Sequence, residues 1–385
     1  MSNSANHKIY TTIGLMSGTS MDGVDLALIR SDGRDFIERK KFAYFPYDAE
    51  TKNSLQSLIY STPSLVQIKI IENEFTLLNA QIVNNFIAKN NINANEIDAI
   101  GFHGHTILHA PQHQVTWQIG NAELLAAQTG INIVADFRNR DVAFGGQGAP
   151  LVPIYHFHLL HNQPKPVMVL NIGGISNVTY FSGESENDIE AFDVCFGNAP
   201  FDDLTKKKLQ LDYDRDGLLS KKGKIDSIFA QRILQNEIFY KAPPKSFDRD
   251  DFAEMLAPIN NLKIEDALAT FAYMHAQVIK INYEMLANKS DAAKRIFVCG
   301  GGRKNAAIMD EMRNALPAVA IKAIDDFGFN GDAIEAEAFA FLAVRRMLKL
   351  PISFQKTTGI SLADNSAQVS PQRHFSSYGG VFYPA

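Results

Sequence analysis

The chain has 385 residues, 46% hydrophobic and 21% charged, which excludes a disordered protein and is long for one core but comfortable for two. Its net charge of -5, with no long basic run, argues against a nucleic-acid or anionic-membrane partner. Two cysteines, Cys195 and Cys299, make neither a disulfide framework nor a zinc site by themselves, and a polar opening over residues 1–8 with no apolar stretch of spanning length points to the cytoplasm.

Residues 10–16 form an apolar run, and residues 24–29 form another broken early by Asp25. Between them lies Ser17-Gly18-Thr19-Ser20-Met21-Asp22-Gly23, so strand, tight polar loop, strand is predicted. Small residues let backbone N–H groups cradle an anion, Thr19 and Ser20 add hydroxyls, and Asp22 and Asp25 are suited to a magnesium ion. An ordinary hairpin turn selects the same residue types. A third strand is predicted over 36–44, giving the sheet an antiparallel start.

Pro63-Ser64 introduces a helical pattern over 65–88, with Ser64 as N-cap and Ile68, Ile71, Phe75, Leu78, Ile82 and Phe86 as a core-facing stripe. A buried strand over 97–102 delivers His103-Gly104-His105-Thr106 as a polar loop at its end. His103, His105, His109 and His113 lie close in sequence, but two ligands on an assumed helix do not make a metal site, and a ligand-facing loop is favoured. A short helix over 121–129 ends at Gly130, and a strand follows over 131–135. Out of it come the charged segment 136–141 and Gly145-Gly146-Gln147-Gly148-Ala149-Pro150, a long loop in which Arg138 is well shaped for a carboxylate or phosphate and Arg140 is left open.

The second half repeats the first. A strand over 167–170, the loop Asn171-Ile172-Gly173-Gly174-Ile175-Ser176-Asn177 and a strand over 178–181 reproduce the opening hairpin, which suggests a duplicated architecture with a phosphate clamped between the halves. A strand over 189–193 ends in Asp193-Val194-Cys195-Phe196-Gly197-Asn198, ahead of a helix over 201–209. Asp193 is placed either for acid–base work or for capping. Residues 243–250 form a proline-stiffened charged loop, and 264–286 a long helix. A strand over 295–299 runs into Gly300-Gly301-Gly302, where bare backbone permits a flat group such as a nucleotide base, and a helix follows over 304–315. A last strand over 319–324 and Phe329-Asn330-Gly331-Asp332 precede a helix over 333–348, with Glu335 on its first turn.

In their joint order and spacing these segments resemble the anhydro-N-acetylmuramic acid kinases, from about residue 10 to about 350. The motifs that carry the likeness are Ser17 to Asp25, His103-Gly104, Asp136-Phe137-Arg138 with Gly145 to Pro150, Asn171 to Asn177, Gly300 to Gly302, and Asp332-Ala333-Ile334-Glu335-Ala336. The resemblance implies two related actin-like α/β domains of the sugar kinase/Hsp70 type with an interdomain ATP cleft. The N-terminal domain is expected over 1–162, with the tail 350–385 packing back on it, and the C-terminal domain over 163–349.

It implies a reaction as well. Such kinases open 1,6-anhydro-N-acetylmuramic acid with water and place the ATP γ-phosphoryl group on O6, in recycling of cell-wall peptidoglycan. By resemblance Gly18, Thr19, Ser20, Met21, Asp22, Gly23, Val24 and Asp25 take the ATP phosphates, with Asp22 and Asp25 on the Mg2+ side, through water. Gly173 and Gly174 face them, Gly300, Gly301 and Gly302 lie near the nucleoside, and Asp193 is the base. His103, Arg138, Asn198 and Glu335 are the substrate set, and a homodimer is implied. This chain departs from the family's usual Asp-Thr-Gly-Pro-Gly-Asn at Asp193 to Asn198, from its glutamine at His105, and from its Ser-Thr-Gly-Arg at Ser246-Phe247-Asp248-Arg249. The alternatives are an actin-fold sugar kinase acting on an ordinary hydroxyl, and a nucleotide-switched binding protein.

Overall fold

The computed structural model describes residues 8–289, 292–360 and 379–385. The chain divides into two compact units, one formed by residues 1–161 with 333–385, the other by 162–332.

In the first unit, β1 (Tyr10–Ser17) and β2 (Gly23–Ser31) form the expected hairpin, and β3 (Ile37–Pro46) continues it antiparallel. Two helices follow, α1 (Ala49–Tyr60) and α2 (Leu65–Lys89). Helix α2 starts where Ser64 and Gln67 cap each other's backbone N–H, and it buries Phe75, Ile82 and Phe86. Helix α1 is not legible in the sequence, because it buries only Leu55 and Leu58 and so carries a weak apolar period.

Next come β4 (Ala99–Ala110), β5 (Val115–Ile119), α3 (Ala122–Thr129), β6 (Ile133–Ala135), α4 (Asn139–Ala143) and α5 (Pro153–Leu159). The His103 to Thr106 segment is not a loop, as expected from sequence, but the middle of β4. Pairing of His105 with Ile119 and Thr106 with Gln118 extends the strand past Phe102. Helix α4 likewise interrupts the segment read as one long loop.

The second unit opens with β7 (Val167–Ile172), β8 (Ile175–Phe181) and β9 (Ile189–Phe196), an antiparallel trio. Helices α6 (Ala199–Leu209), α7 (Ser227–Leu234), α8 (Ala253–Leu256) and α9 (Ile264–Ala287) precede β10 (Arg295–Cys299), α10 (Ala306–Ala315) and β11 (Ala320–Ala323). The chain returns to the first unit with α11 (Ile334–Met347) and β12 (Val381–Tyr383), which pairs antiparallel with β6.

The two sheets share one plan. Along each, three antiparallel strands are followed by two parallel ones, β3-β2-β1-β4-β6 in the first unit and β9-β8-β7-β10-β11 in the second. This is the pair of related α/β domains that the resemblance implies.

The division of the chain differs from the expected one, because α11 belongs to the first unit rather than to a domain over 163–349. Its backbone lies directly on β1 and β4. A Cβ on Gly14 would fall 1.8 Å from the Ala336 carbonyl oxygen, and one on Gly101 2.1 Å from that of Phe339. The Thr12 hydroxyl donates to the Ala340 carbonyl, and the fully buried Arg345 donates to the carbonyls of Gly33 and Pro351.

Candidate active site

The β1–β2 turn is held from several sides. The Met21 N–H donates to the Gly18 carbonyl, the Ser20 hydroxyl donates to Asp22 Oδ1 at 2.8 Å, and the Tyr44 hydroxyl and Tyr47 N–H both donate to the Asp22 carbonyl at 2.9 Å. Below it, the Tyr47 hydroxyl donates to Ser17 Oγ, which lies 2.8 Å from His105 Nδ1 in a buried chain. Burial holds His105 neutral, with its pKa lowered to about 4. Burial and, after it, the charges of Asp22 and Asp25 push the Tyr44 phenol up to about 12. Two carboxylates, one of them exposed, fit a Mg2+ ion that keeps most of its waters.

Steric room separates two kinds of glycine. A Cβ on Gly23 would meet the Phe45 carbonyl oxygen at 2.3 Å, and one on Gly302 would meet Ile172 Cγ2 at 2.2 Å, so packing demands glycine there. On Gly18, Gly174 and Gly301 the nearest neighbours would stand at 3.6, 3.9 and 3.5 Å, and the fold itself makes no such demand. Bare backbone at these three positions is surface left open to a ligand.

In the second unit the loop expected over 171–177 shrinks to Gly173 and Gly174, because Ile172 pairs with Ser176 and Asn171 with Asn177. The carbonyls of both glycines accept from the N–H groups of Asn198 and Gly197. Asn198, expected beside the sugar, donates its amide to the Ile172 carbonyl and lies against Gly301 and Gly302. It braces the end of β7 to the glycine segment. Arg303 does similar work, donating to the Gly300 carbonyl at 2.9 Å and to Asp325 and Asp332.

Asp193 lies inside β9 rather than at its end, since pairing with β8 continues to Phe196. Its N–H donates to the Lys245 carbonyl, and its Oδ2 accepts the Phe247 N–H at 2.9 Å. The segment 245–247 therefore runs beside it like a short extra strand. Burial raises the Asp193 carboxyl to about 7, against the opposing effects of the Phe247 N–H and the Lys245 charge. Lys245 was not singled out from the sequence, where it is one charge in a charged stretch. It is buried, donates to Asn282 Oδ1 at 2.9 Å, and lies over the rings of Phe192 and Phe247. Burial lowers its ammonium to about 8. Cys195 is a packed core residue whose thiol burial pushes up, so it is unreactive.

A third group forms in the first unit, where parallel β4 and β6 bring His103 and Arg138 together. Arg138 Nε donates to His103 Nε2 at 3.0 Å, and its Nη1 donates to the Gly148 carbonyl at 2.8 Å. Burial works against the Arg138 charge, while Glu335 and Asp141 support it. Glu335, on the first turn of α11, is thus near enough to act on the Arg138 charge. His103 is only 4% exposed and has both ring nitrogens engaged within the fold, so it presents none to a sugar. Among the described residues no three histidines, cysteines or carboxylates gather to hold a metal, and no helix is long and apolar enough to cross a membrane.

Doubled α/β units with open small-residue turns suit a phosphotransferase of the sugar-kinase class, whose chemistry depends on positioning and on neutralising charge. The model of the family described as anhydro-N-acetylmuramic acid kinase matches residues 10–370. Proteins of that name from Zymomonas mobilis and Rhodospirillum rubrum are 42% and 40% identical, each covering 90% of this chain and spanning 96% and 90% of their own lengths. Among solved structures, the (R)-2-hydroxyglutaryl-CoA dehydratase component A of Acidaminococcus fermentans aligns with a TM-score of 0.43 and 13% identity, covering 87% of this chain and 99% of its own. The chain belongs to the anhydro-N-acetylmuramic acid kinase family, and it is a kinase that phosphorylates an alcohol group.

Proposed function

We propose that this kinase opens 1,6-anhydro-N-acetylmuramic acid with water and phosphorylates O6 from ATP, giving N-acetylmuramic acid 6-phosphate in cytoplasmic recycling of cell-wall peptidoglycan. The observation that carries the reading is Asp193, a carboxyl on β9 that accepts the Phe247 N–H at 2.9 Å beside buried Lys245 and whose proton affinity burial raises to about 7. A base of that strength takes a proton from water and returns it within the neutral range. As the water oxygen bonds to C1, its proton passes to Asp193 and the C1–O6 bond breaks. The electron pair left on O6 then attacks the γ-phosphorus, and ADP leaves.

Gly18 to Asp25 take the ATP phosphates with Gly173 and Gly174, and Gly300 to Gly302 lie by the nucleoside. When bound beside Asp22 and Asp25 through water, Mg2+ supplies neutralisation of phosphate charge. Arg138 and Glu335 contact the sugar, and the working form is a homodimer. Turnover in 18O-labelled water tests the reading. Label at C1 of a 6-phosphorylated product supports it. Phosphorylation without label indicates an ordinary hydroxyl acceptor, and absence of sugar-dependent ATP consumption indicates a nucleotide-switched binding protein.

A further inference from the structure

We infer that His103 is a positioning residue, which holds the Arg138 guanidinium in one orientation toward the sugar without touching the sugar itself. The inference rests on the proposed role of Arg138. A guanidinium can only donate, so His103 Nε2, 3.0 Å from Arg138 Nε, must accept. The ring proton then sits on Nδ1, which donates to the Gly104 carbonyl at 2.9 Å. One tautomer of a neutral ring satisfies both bonds. The ring is also wedged against Phe339 of α11, with centroids 4.6 Å apart.

The other end of the fork is held as firmly. Arg138 Nη1 donates to the Gly148 carbonyl, Gly148 N–H donates to Asp141 Oδ1 at 2.6 Å, and Asp141 Oδ2 accepts the Thr358 hydroxyl at 2.6 Å. Two fixed acceptors on one planar group set its plane and its rotation. With Nε and Nη1 engaged, Nη2 is the nitrogen that the proposed sugar contact uses. Replacing His103 leaves Arg138 charged but held through Nη1 alone, so its plane is no longer fixed and binding geometry is lost while charge is kept.

The test is steady-state kinetics on the full chain, varying sugar and ATP separately, for His103→Phe, His103→Gln, His103→Asn, Arg138→Ala and the His103→Phe/Arg138→Ala double variant. Arg138→Ala should raise the sugar KM about tenfold or more with the ATP KM unchanged. His103→Phe should raise it by roughly tenfold, yet add nothing in the Arg138→Ala background. The glutamine amide oxygen reaches the place of Nε2 and should restore the sugar KM to within about threefold, whereas asparagine reaches only the place of Nδ1 and should not. A normal sugar KM in His103→Phe, beside an impaired Arg138→Ala, overturns the positioning role alone. An unchanged Arg138→Ala overturns the Arg138 assignment and the inference with it. Thermal unfolding of each variant identifies misfolding, and equal loss in the folded glutamine and asparagine variants also counts against the inference.

Discussion

Replacing Asp193 by asparagine should make the protein inactive and, at alkaline pH, more stable. Moving a carboxyl from 3.8 to about 7 means that ionising it inside the fold costs about 4 kcal/mol more than ionising it in the unfolded chain. The folded pKa is the raised one. The protonated carboxyl's stabilising effect is therefore complete below about pH 3.8, declines across the interval to about 7, and is gone above it. Asparagine is neutral throughout and its amide oxygen can still accept the Phe247 N–H, so the variant avoids that decline. Solvent reaching the half-buried carboxyl trims the difference, which leaves an expected gain of about 2 to 4 kcal/mol at pH 8. For a unit of this size that is a rise in Tm of roughly 4 to 16 °C, falling to less than half as much at pH 5. Thermal melts of both proteins at the two pH values measure it, and turnover assays should show a loss of about a hundredfold or more. Equal or lower Tm for the variant at pH 8 would refute the claim that the fold holds an ionised Asp193 at a cost.

The same carboxyl predicts that kcat rises with pH through about 7, and Lys245→Met should move that midpoint upward by roughly one pH unit, because a charge that favours the carboxylate is removed. An unmoved pH profile would detach Lys245 from Asp193. Gly18→Ala and Gly101→Ala should part company. The first has open space for its Cβ, so Tm should hold while the ATP KM rises about tenfold; the second drives into the α11 backbone and should cost about 3 kcal/mol or more by denaturant melt. Arg345→Ala should destabilise the first unit by about 3 kcal/mol or more, since it leaves the buried carbonyl of Gly33 and the half-buried one of Pro351 unsatisfied. Urea titration reads that loss.

Much of the architecture is written locally. Ser64 and Gln67 cap α2 within four residues, Asn121 and Gly130 bound α3, and the opening hairpin is announced by its own turn chemistry. The same residue types in the same order carry the family likeness, so the fold class and the family are legible before any contact is known. Where strands continue past their apolar runs, as β4 does through His103 and β9 does past Asp193, their ends are not legible in the sequence. Those extensions are held by cross-strand hydrogen bonds to distant partners, not by their own side-chain alternation.

What lies beyond the sequence is which groups meet. Asp193 and Phe247 are 54 residues apart, His103 and Arg138 35, and Thr12 and the α11 carbonyl it reaches 328. An amphipathic helix specifies that it needs an apolar surface but not which one, so only the close approach of α11 to Gly14 and Gly101 assigned it to the first unit. By itself the sequence determined most strands and the longest helices, the glycine turns and the candidate base. Tertiary packing alone decided which turns are bare for a ligand, that the Asp193 carboxyl is raised toward neutrality, and which histidine turns inward to hold an arginine. Burial, and with it each proton affinity and each steric gap, is a property of neighbours that the chain brings together only on folding.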